Sequence, residues 1–515
     1  MKVTVKPADF EAGGKAIVMM NIEDVSSLGV HGNERVKLTK DGKCIIAIID
    51  VTKNFAKPGE IVTNSQVNCA FKLRKGDQLE VSPAYTPESV AYIKQKLAGG
   101  RLSGDKLLEI VKDVVANRLS ETEVTAFVTA LDSHGMTMEE TEALSRAMIA
   151  TGKKLHIPGK CIVDKHSLGG IPGDKTSLLA VPIIAAAGLT IPKTSSRAIT
   201  SPAGTADRME VLAPVEFSAD DIVKIVKKTG GCLVWGGALD LAPADDAFIK
   251  IEFPLGIDPL LLPSIMSKKA AVGSKYLVVD IPTGRGAKMK TIGASQELAD
   301  HFIELGRRLG IKVVAGITYG EQPLGHAMGP ALEAREALST IMGGGPTDLI
   351  DKVTSIVGLL FEEVSVRGGK ETAMHILKSG KAEKKLREII DAQGGDPKVK
   401  PSDIAVGKKT VTIDAETDGR VLWISNGDIG LVAREAGAPA DKGAGVLLHA
   451  KIGDSVKKGQ PLFTIYSEYN QKLANALKCA KEFKPVSVFK SIDEHMLMAQ
   501  VPTHIPRRHH FILER

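Results

Sequence analysis

The chain has 515 residues, 43% hydrophobic and 25% charged, with a formal net charge of +6. This describes a soluble globular protein of several domains, able to bury sizeable cores. The charge is small for the length and the basic residues are scattered, which suits an anionic small molecule and argues against nucleic acid as a partner. The five cysteines, Cys44, Cys69, Cys161, Cys232 and Cys479, form no C-x-x-C pair. They read as buried, reduced thiols of a cytoplasmic protein. The first ten residues lack the apolar core of a signal peptide. The longest apolar stretch, residues 178–191, is interrupted by Pro182 and Gly188 and is too short to span a membrane.

Residues 1–86 alternate or run apolar between turns, at 3–5, 16–20, 35–38, 44–51 and 73–81. The pattern predicts a small β-barrel-like domain. It carries no catalytic constellation, so assembly is its expected role. From Thr86-Pro87 the pattern becomes helical, with amphipathic runs at 90–97, 103–116, 120–133 and 137–151 and a capping box at Ser120 to Glu123. Residues 87–155 are therefore expected to form a helical lobe. Gly152 and Gly159 lie in its connection to the next lobe.

Residues 156–395 alternate strand and helix to about 345, the mark of a mostly parallel α/β sheet, and then turn helical and charged. Strands are expected at 161–163, 232–235, 249–253, 276–280 and 312–317. Four loops at strand ends, 164–174, 194–205, 254–264 and 280–288, hold the interesting polar groups. The first runs from strand through glycines to a helix start near Lys175-Thr176-Ser177, a layout that aims backbone N–H groups at an anion. Lys165 and Lys175 add positive charge there, and Ser167, Thr176 and Ser177 add hydroxyls. The second carries Ser195, Ser196, Arg197, Thr200, Ser201 and Thr205. Two such loops at the ends of neighbouring parallel strands suit an oxyanion such as phosphate, with a sugar beside it. Ordinary helix-capping turns are the plain alternative. The P-loop is excluded because Asp174 separates Gly173 from Lys175, and a dinucleotide fingerprint at Gly284-Arg285-Gly286 fails at Met289.

Ser264 and Lys268 lie four apart, so on a helix they share a face. Lys288 and Arg197 are the candidates for a second phosphate, since a point-charge lysine and a bidentate arginine are its usual ligands. Arg285 reads as a surface charge. Residues 396–515 return to β from about Val406. Turns at 418–422 and 450–462 resemble a barrel-sandwich hammerhead, but no modifiable lysine tip is found, so no carrier function is expected. The tail histidines His509 and His510 lack further ligands at suitable spacing, so no metal site is expected.

Several motifs occur together and in order: D-K-H-S-L-G-G from Asp164, G-D-x-T-S-L from Gly173, S-S-R-A-I-T from Ser195 and G-T-A-D-R-M-E-V-L from Gly204. S-I-M-S-K-K from Ser264, D-I-P-T-G-R-G-A-K from Asp280 and Q-P-L-G-H-A-M-G-P-A-L-E-A-R-E-A-L from Gln322 follow. On these, residues 87 to about 495 resemble the thymidine/pyrimidine-nucleoside phosphorylase family, and the whole chain looks most like its archaeal-type AMP phosphorylase branch. The resemblance implies a multidomain α/β architecture. It has a small N-terminal β domain, a helical lobe beside a mostly parallel α/β lobe as in type II nucleoside phosphorylases, and a C-terminal α+β domain that is barrel-sandwich-like. It implies phosphorolysis of nucleoside 5′-monophosphates, AMP and phosphate giving adenine and α-D-ribose 1,5-bisphosphate, with CMP and UMP as further substrates. Inorganic phosphate is then a co-substrate and no cofactor is expected. The extra domain implies a homo-oligomer, a dimer or higher.

Carried onto matching positions, the resemblance makes Lys165, Ser167, Ser177, Ser195 and Thr205 phosphate ligands. Gly170, Ser196, Arg197, Ala198, Ile199, Thr200, Ser201, Thr205, Ser264, Lys268 and Lys288 become substrate contacts. Asp258 falls at the proton-donor position. Burial beside Leu255, Ile257 and residues 260–262 is expected to keep it protonated, while spacing alone favours a helix cap ahead of Pro259. His166 is the rival donor. Three departures weaken a thymidine substrate: Ile171-Pro172 lengthens the first loop, residues 251–253 hold no arginine, and the N-terminal domain is added. Two other readings stay open, a pyrimidine-nucleoside phosphorylase and a non-catalytic nucleotide-binding assembly protein.

Overall fold

Apolar–polar alternation closes the first 83 residues of the computed structural model, which describes residues 1–159, 161–198 and 201–489, into a barrel. Its strands are β1 (Lys2–Pro7), β2 (Ile17–Asn21), β3 (Arg35–Lys40), β4 (Lys43–Thr52), β5 (Glu60–Thr63) and β6 (Gln78–Pro83). They run in the order β1-β5-β2-β4-β3-β6, and β6 returns antiparallel to β1 with Leu79 opposite Val3. Val3, Val5, Val36, Leu38, Leu79 and Val81 point into one core. Closure removes the open edge that a free sheet would present. Two short helices go beyond the sequence expectation: α1 (Ile22–Leu28), capped by the Asn21 side chain, and α2 (Ser65–Phe71), capped by Asn64.

The barrel sits on the helical lobe, α3 (Ser89–Leu97), α4 (Gly104–Val115), α5 (Glu121–His134) and α6 (Met138–Thr151). Arg35 pairs with Glu123 and donates from Nε to the Arg118 carbonyl at 2.6 Å, and Lys15 pairs with Glu121. Capping boxes start α5 at Ser120 and α6 at Thr137.

The α/β lobe holds β7 (Val163–Ser167), α7 (Thr176–Ala186), β8 (Ile191–Ser195), α8 (Thr205–Met209), α9 (Ala219–Thr229) and β9 (Gly231–Trp235). Next come α10 (Pro243–Leu255), α11 (Leu261–Ala271), β10 (Tyr276–Thr283), α12 (Ile292–Leu309) and β11 (Lys312–Tyr319). All strands are parallel, paired β11-β10-β7 and β8-β9. An isolated parallel bridge between Ile162 and Thr190 joins the two sets. A short strand β12 (Ala327–Met328) and helices α13 (Pro330–Ile341), α14 (Thr347–Glu363), α15 (Gly369–Lys378) and α16 (Lys381–Ala392) complete the lobe.

Three expectations are corrected here. The strand expected at 161–163 is β7, which runs four residues further because its parallel register with β10 extends to Ser167 opposite Asp280. Lys165, His166 and Ser167 are thus strand residues. The strand expected at 249–253 is the interior of α10: Ala244, Phe248 and Ile251 recur at helical spacing and fill the core of the helical lobe. The stretch 254–264 is therefore the end of α10, a short turn at 256–260 and the start of α11, not a loop at a strand end.

The C-terminal unit is α+β. Its strands are β13 (Lys409–Asp414), β14 (Gly419–Ile424), β15 (Gly445–Leu448), β16 (Ser455–Val456), β17 (Pro461–Ser467) and β18 (Val486–Phe489). Helices α17 (Asn426–Glu435) and α18 (Asn470–Phe483) supply the α part of the expected α+β domain and pack on one core with both sheets. One sheet, β12-β15-β17-β13, borrows β12 from the preceding lobe; the other is β16-β14-β18. Cys44 and Cys69 are exposed, against the expectation of buried thiols, whereas Cys232 and Cys479 are buried. Among the described residues no helix is long and apolar enough to cross a membrane. His509 and His510 lie outside the described residues.

Candidate active site

β7, β8 and β10 lie side by side and parallel, so their C-terminal ends share the edge at which an open parallel sheet has its crevice. Lys165 leaves β7 almost fully buried and donates from Nζ to the Thr176 hydroxyl at the start of α7. Ser167 follows on the same face. Its Oγ lies 2.6 Å from Asp174 Oδ2 and 2.9 Å from Asp280 Oδ2. One hydroxyl proton serves only one of them at a time. Thr318 donates to Asp280 Oδ1 at 2.6 Å, and Lys352 of α14 reaches Asp280 Oδ2 at 3.0 Å. Asp174 also accepts from the Thr176 hydroxyl at 2.6 Å.

This floor is a buried lattice of two carboxylates and two ammonium groups. Burial opposes the charge on Asp174, but Lys352 and Lys165 outweigh it and hold the carboxyl well below its ordinary value. Burial likewise lowers Lys165, with Asp174 and Asp280 working the other way. For Lys352 the two aspartates overcome burial, and its pKa is raised.

Ser177 is buried at the first turn of α7. Ser195 ends β8 and donates to the Val234 carbonyl at 3.2 Å. Thr205 opens α8. The glycines of the first loop have a steric task. Gly170 adopts φ +87°, and a Cβ there would stand 2.7 Å from the Lys288 backbone nitrogen. The phosphate-type loop and the Lys288 loop therefore touch.

His166 faces a cationic surround. Protein packing, then Lys269, Lys193, Lys165 and Lys268, push its pKa well below the ordinary value, so the ring is neutral. Lys269 pairs with buried Asp164 at 2.8 Å, and Lys193 donates to the Lys165 carbonyl at 2.7 Å. A neutral imidazole can orient a ligand but holds no acidic proton to give.

On the opposite wall, the turn after α10 carries Asp258. Its carboxylate meets Lys288 Nζ at 3.2 Å, and both side chains are near half exposed, 46% and 49%. The expected burial is absent: Leu255 is itself 51% exposed. The helix-cap alternative fails too, because α11 starts at Leu261 with Leu260 as its N-cap residue. Ser264 and Lys268 share a face of α11, and Lys268 reaches Asp245 of α10.

Two expected cations are committed elsewhere. Arg197 is held by Glu210 (2.6 Å), Glu216 (2.9 Å) and Asp207 (3.4 Å) and stacks 5.0 Å over Trp235, so its guanidinium is not free to grip a phosphate. Lys175 is buried, donating to the Leu324 carbonyl at 2.9 Å and pairing with Glu336, so it braces the loop from behind. Ser196 is exposed, the Ala198 N–H donates to Asp207 at 2.7 Å, and Ser201 bonds the Ala203 carbonyl. Ile199 and Thr200 lie outside the described residues. Arg285 is on the surface as expected, 5.6 Å over Trp423.

Sequence reasoning missed Asp174, Asp280, Thr318 and Lys352 as parts of the floor. Lys352 had a signal: it lies on the apolar stripe of α14, between Leu349 and Ile356, where a lysine needs a buried partner. Among the described residues, no group of three or more His, Cys, Asp or Glu side chains is placed to hold a metal ion.

Family models match in three segments. They are the glycosyl transferase family helical bundle domain over residues 90–152, the glycosyl transferase family a/b domain over 159–383, and the pyrimidine nucleoside phosphorylase C-terminal domain over 421–486. The AMP phosphorylase of Thermofilum pendens is 48% identical over 515 residues, 100% of both chains. The chain belongs to the AMP phosphorylase family. The AMP phosphorylase of Thermococcus kodakarensis is 50% identical over 494 residues, 95% of this chain and 98% of its own. AMP phosphorylase 1 of Archaeoglobus fulgidus is 48% identical over 479 residues, 92% and 95% respectively. In this AMP phosphorylase family member the N-terminal barrel falls within the shared length.

Proposed function

We propose that the protein is a pentosyltransferase that phosphorolyses AMP to adenine and α-D-ribose 1,5-bisphosphate. The observation that carries this reading is full-length likeness to AMP phosphorylases, barrel included, joined to a cleft with cationic groups on both walls. Lys165, Ser167, Ser177, Ser195 and Thr205 receive inorganic phosphate below C1′. Charge-assisted hydrogen bonds of this kind contribute about 1.5–3 kcal/mol each. The C1′–N bond breaks as the C1′–O bond to phosphate forms, and the bound dianion stabilises the positive charge that develops on the ribose. Lys288 takes the 5′-phosphate, and Ser264 and Lys268 line the nucleoside, with Gly170 and the 196–201 segment beside them. Asp258 gives a proton to a ring nitrogen of the departing adenine, whereas His166, neutral among lysines, positions it. CMP and UMP are further substrates of the same cleft, and no cofactor is needed.

The C-terminal unit reads as barrel-sandwich-like, its two sheets closing on a common core. The N-terminal barrel serves assembly in a cytoplasmic homo-oligomer. Light scattering should then give a mass at least twice the 54.7 kDa of one chain. The direct test of function is base release from AMP with and without phosphate, with adenosine as control. Phosphate-dependent adenine release from AMP alone is expected. Turnover of uridine or thymidine with none of AMP would overturn the reading. Asp258→Asn should lower kcat by about 10²–10⁴-fold.

A further inference from the structure

Behind Asp258 lies a carboxyl that the reaction so far does not use. Glu252, on the last turn of α10, is only 5% exposed. Its Oε1 accepts the N–H of Leu260 at 3.1 Å, and its carbonyl accepts the N–H of Ile257 at 3.2 Å. One residue thus fastens both ends of the short turn whose middle is Asp258. Leu260 is also the N-cap residue of α11, so the same carboxyl seats the helix bearing Ser264 and Lys268. An aspartate near 46% exposed, with an ammonium as its partner, has little else to fix it.

The charges around the turn are unequal. In front of Asp258 stands Lys288. Behind it stand Glu252 and, further along α10, Asp245, whose charge is met by Lys268 of α11. Burial first, then the charge of Asp258, push Glu252 up to about 7; Asp245 adds to this, while the Leu260 N–H and Lys288 act the other way. The charge of Asp258 thus opposes the ionisation of Glu252.

We propose that Glu252 is a positioning residue for Asp258: it fixes the turn and sets a second carboxyl behind it, so that a 5′-phosphate drawing Lys288 away leaves Asp258 facing only negative charge. A carboxyl in that setting keeps its proton better than one paired with an ammonium. The 5′-phosphate of AMP is then a trigger as well as a handle. Adenosine, which lacks it, leaves the Lys288–Asp258 pair closed and the proton undelivered. This rests on the reading of Asp258 as donor.

Two substitutions separate charge from position. Glu252→Gln keeps an acceptor for the Leu260 N–H and removes the charge. Its kcat–pH profile with AMP is expected to lose its alkaline limb about one unit earlier than the parent, with KM for phosphate changed by less than about twofold. Glu252→Asp keeps the charge but falls short of Leu260. It should hold the limb in place and lower kcat about tenfold. A superimposable profile for Glu252→Gln would overturn the proposal. So would a loss of activity uniform across pH together with a lowered melting temperature, which marks a purely structural role. Asp258→Asn is run alongside. If it is fully active, the donor reading fails; if it is inactive while Glu252→Gln is indistinguishable from the parent, only the present inference fails.

Discussion

The two walls of the cleft are built on opposite plans. The wall proposed for phosphate is buried and crosslinked: Lys165, Ser167, Asp174, Thr176, Asp280, Thr318 and Lys352 bond one another across β7, α7, β10, β11 and α14. The wall proposed for the nucleotide holds Asp258 and Lys288 by one half-exposed ion pair between two turns. Exposed pairs contribute about 0–1 kcal/mol, whereas breaking a buried one costs about 3–5 kcal/mol. The difference separates two tasks. An inorganic anion that is the same in every turnover suits a preorganised cradle, and a larger nucleotide needs a wall that yields on entry and closes on the correct ligand.

Substitutions can break this contrast in order of expected effect. Lys352→Met leaves Asp280 and Asp174 buried with Lys165 as the one remaining cation of the floor. Urea unfolding should show a loss of about 3–5 kcal/mol, and surviving enzyme should show a higher KM for phosphate than for AMP relative to the parent. Lys165→Met removes the central cation of the cradle without disturbing the opposite wall. It is expected to lower kcat/KM for phosphate by about 10²–10³-fold in steady-state assays. Lys288→Ala should raise KM for AMP about tenfold, as befits one charge-assisted contact, while stability changes by less than about 1 kcal/mol.

The smallest effect is a pH signature. Burial and the charge of Asp258 raise Glu252 in the folded protein to about 7 from its ordinary 4.5. Below 4.5 the carboxyl is neutral in both states and costs nothing; as pH rises from 4.5 towards 7 stability is lost, because the unfolded chain has released a proton that the folded state still holds, and the loss is complete once the folded carboxyl ionises. Glu252→Gln escapes this loss. Its melting temperature should match the parent at low pH and exceed it progressively between about pH 4.5 and 7. A constant offset across that range would show that the carboxyl does not titrate there.

The barrel strands and the lobe helices were legible because alternation and helical spacing are local. Helix α10 was not: Ile249 to Phe253 reads as a strand, and only packing of Phe248 and Ile251 against the helical lobe decides the matter. Lys165, Ser167 and Lys288 were legible as candidates because each stands in a motif, and the structure sets them beside Thr176, Asp280 and Asp258. The site was misread where a distant partner claims the side chain. Lys175 looks like a phosphate lysine until Leu324 and Glu336, some 150 residues away, are in place. Arg197 looks free until Glu210 and Glu216 fold back on it. Asp258 sits on an apolar stretch that suggests burial, yet the turn carries it outward.

The borrowed strand β12 has a consequence for how the chain can be divided. Ala327 and Met328 pair with Leu447 and Val446, and the Leu448 N–H donates to the His326 carbonyl at 2.8 Å. Met328 also belongs to the C-terminal core. A cut anywhere between 329 and 445 therefore leaves the last unit with an open sheet edge and a gap in its interior. The C-terminal unit is not a cassette that can be excised or transplanted. Its edge strand and part of its interior are supplied by residues 326–328 of the central lobe.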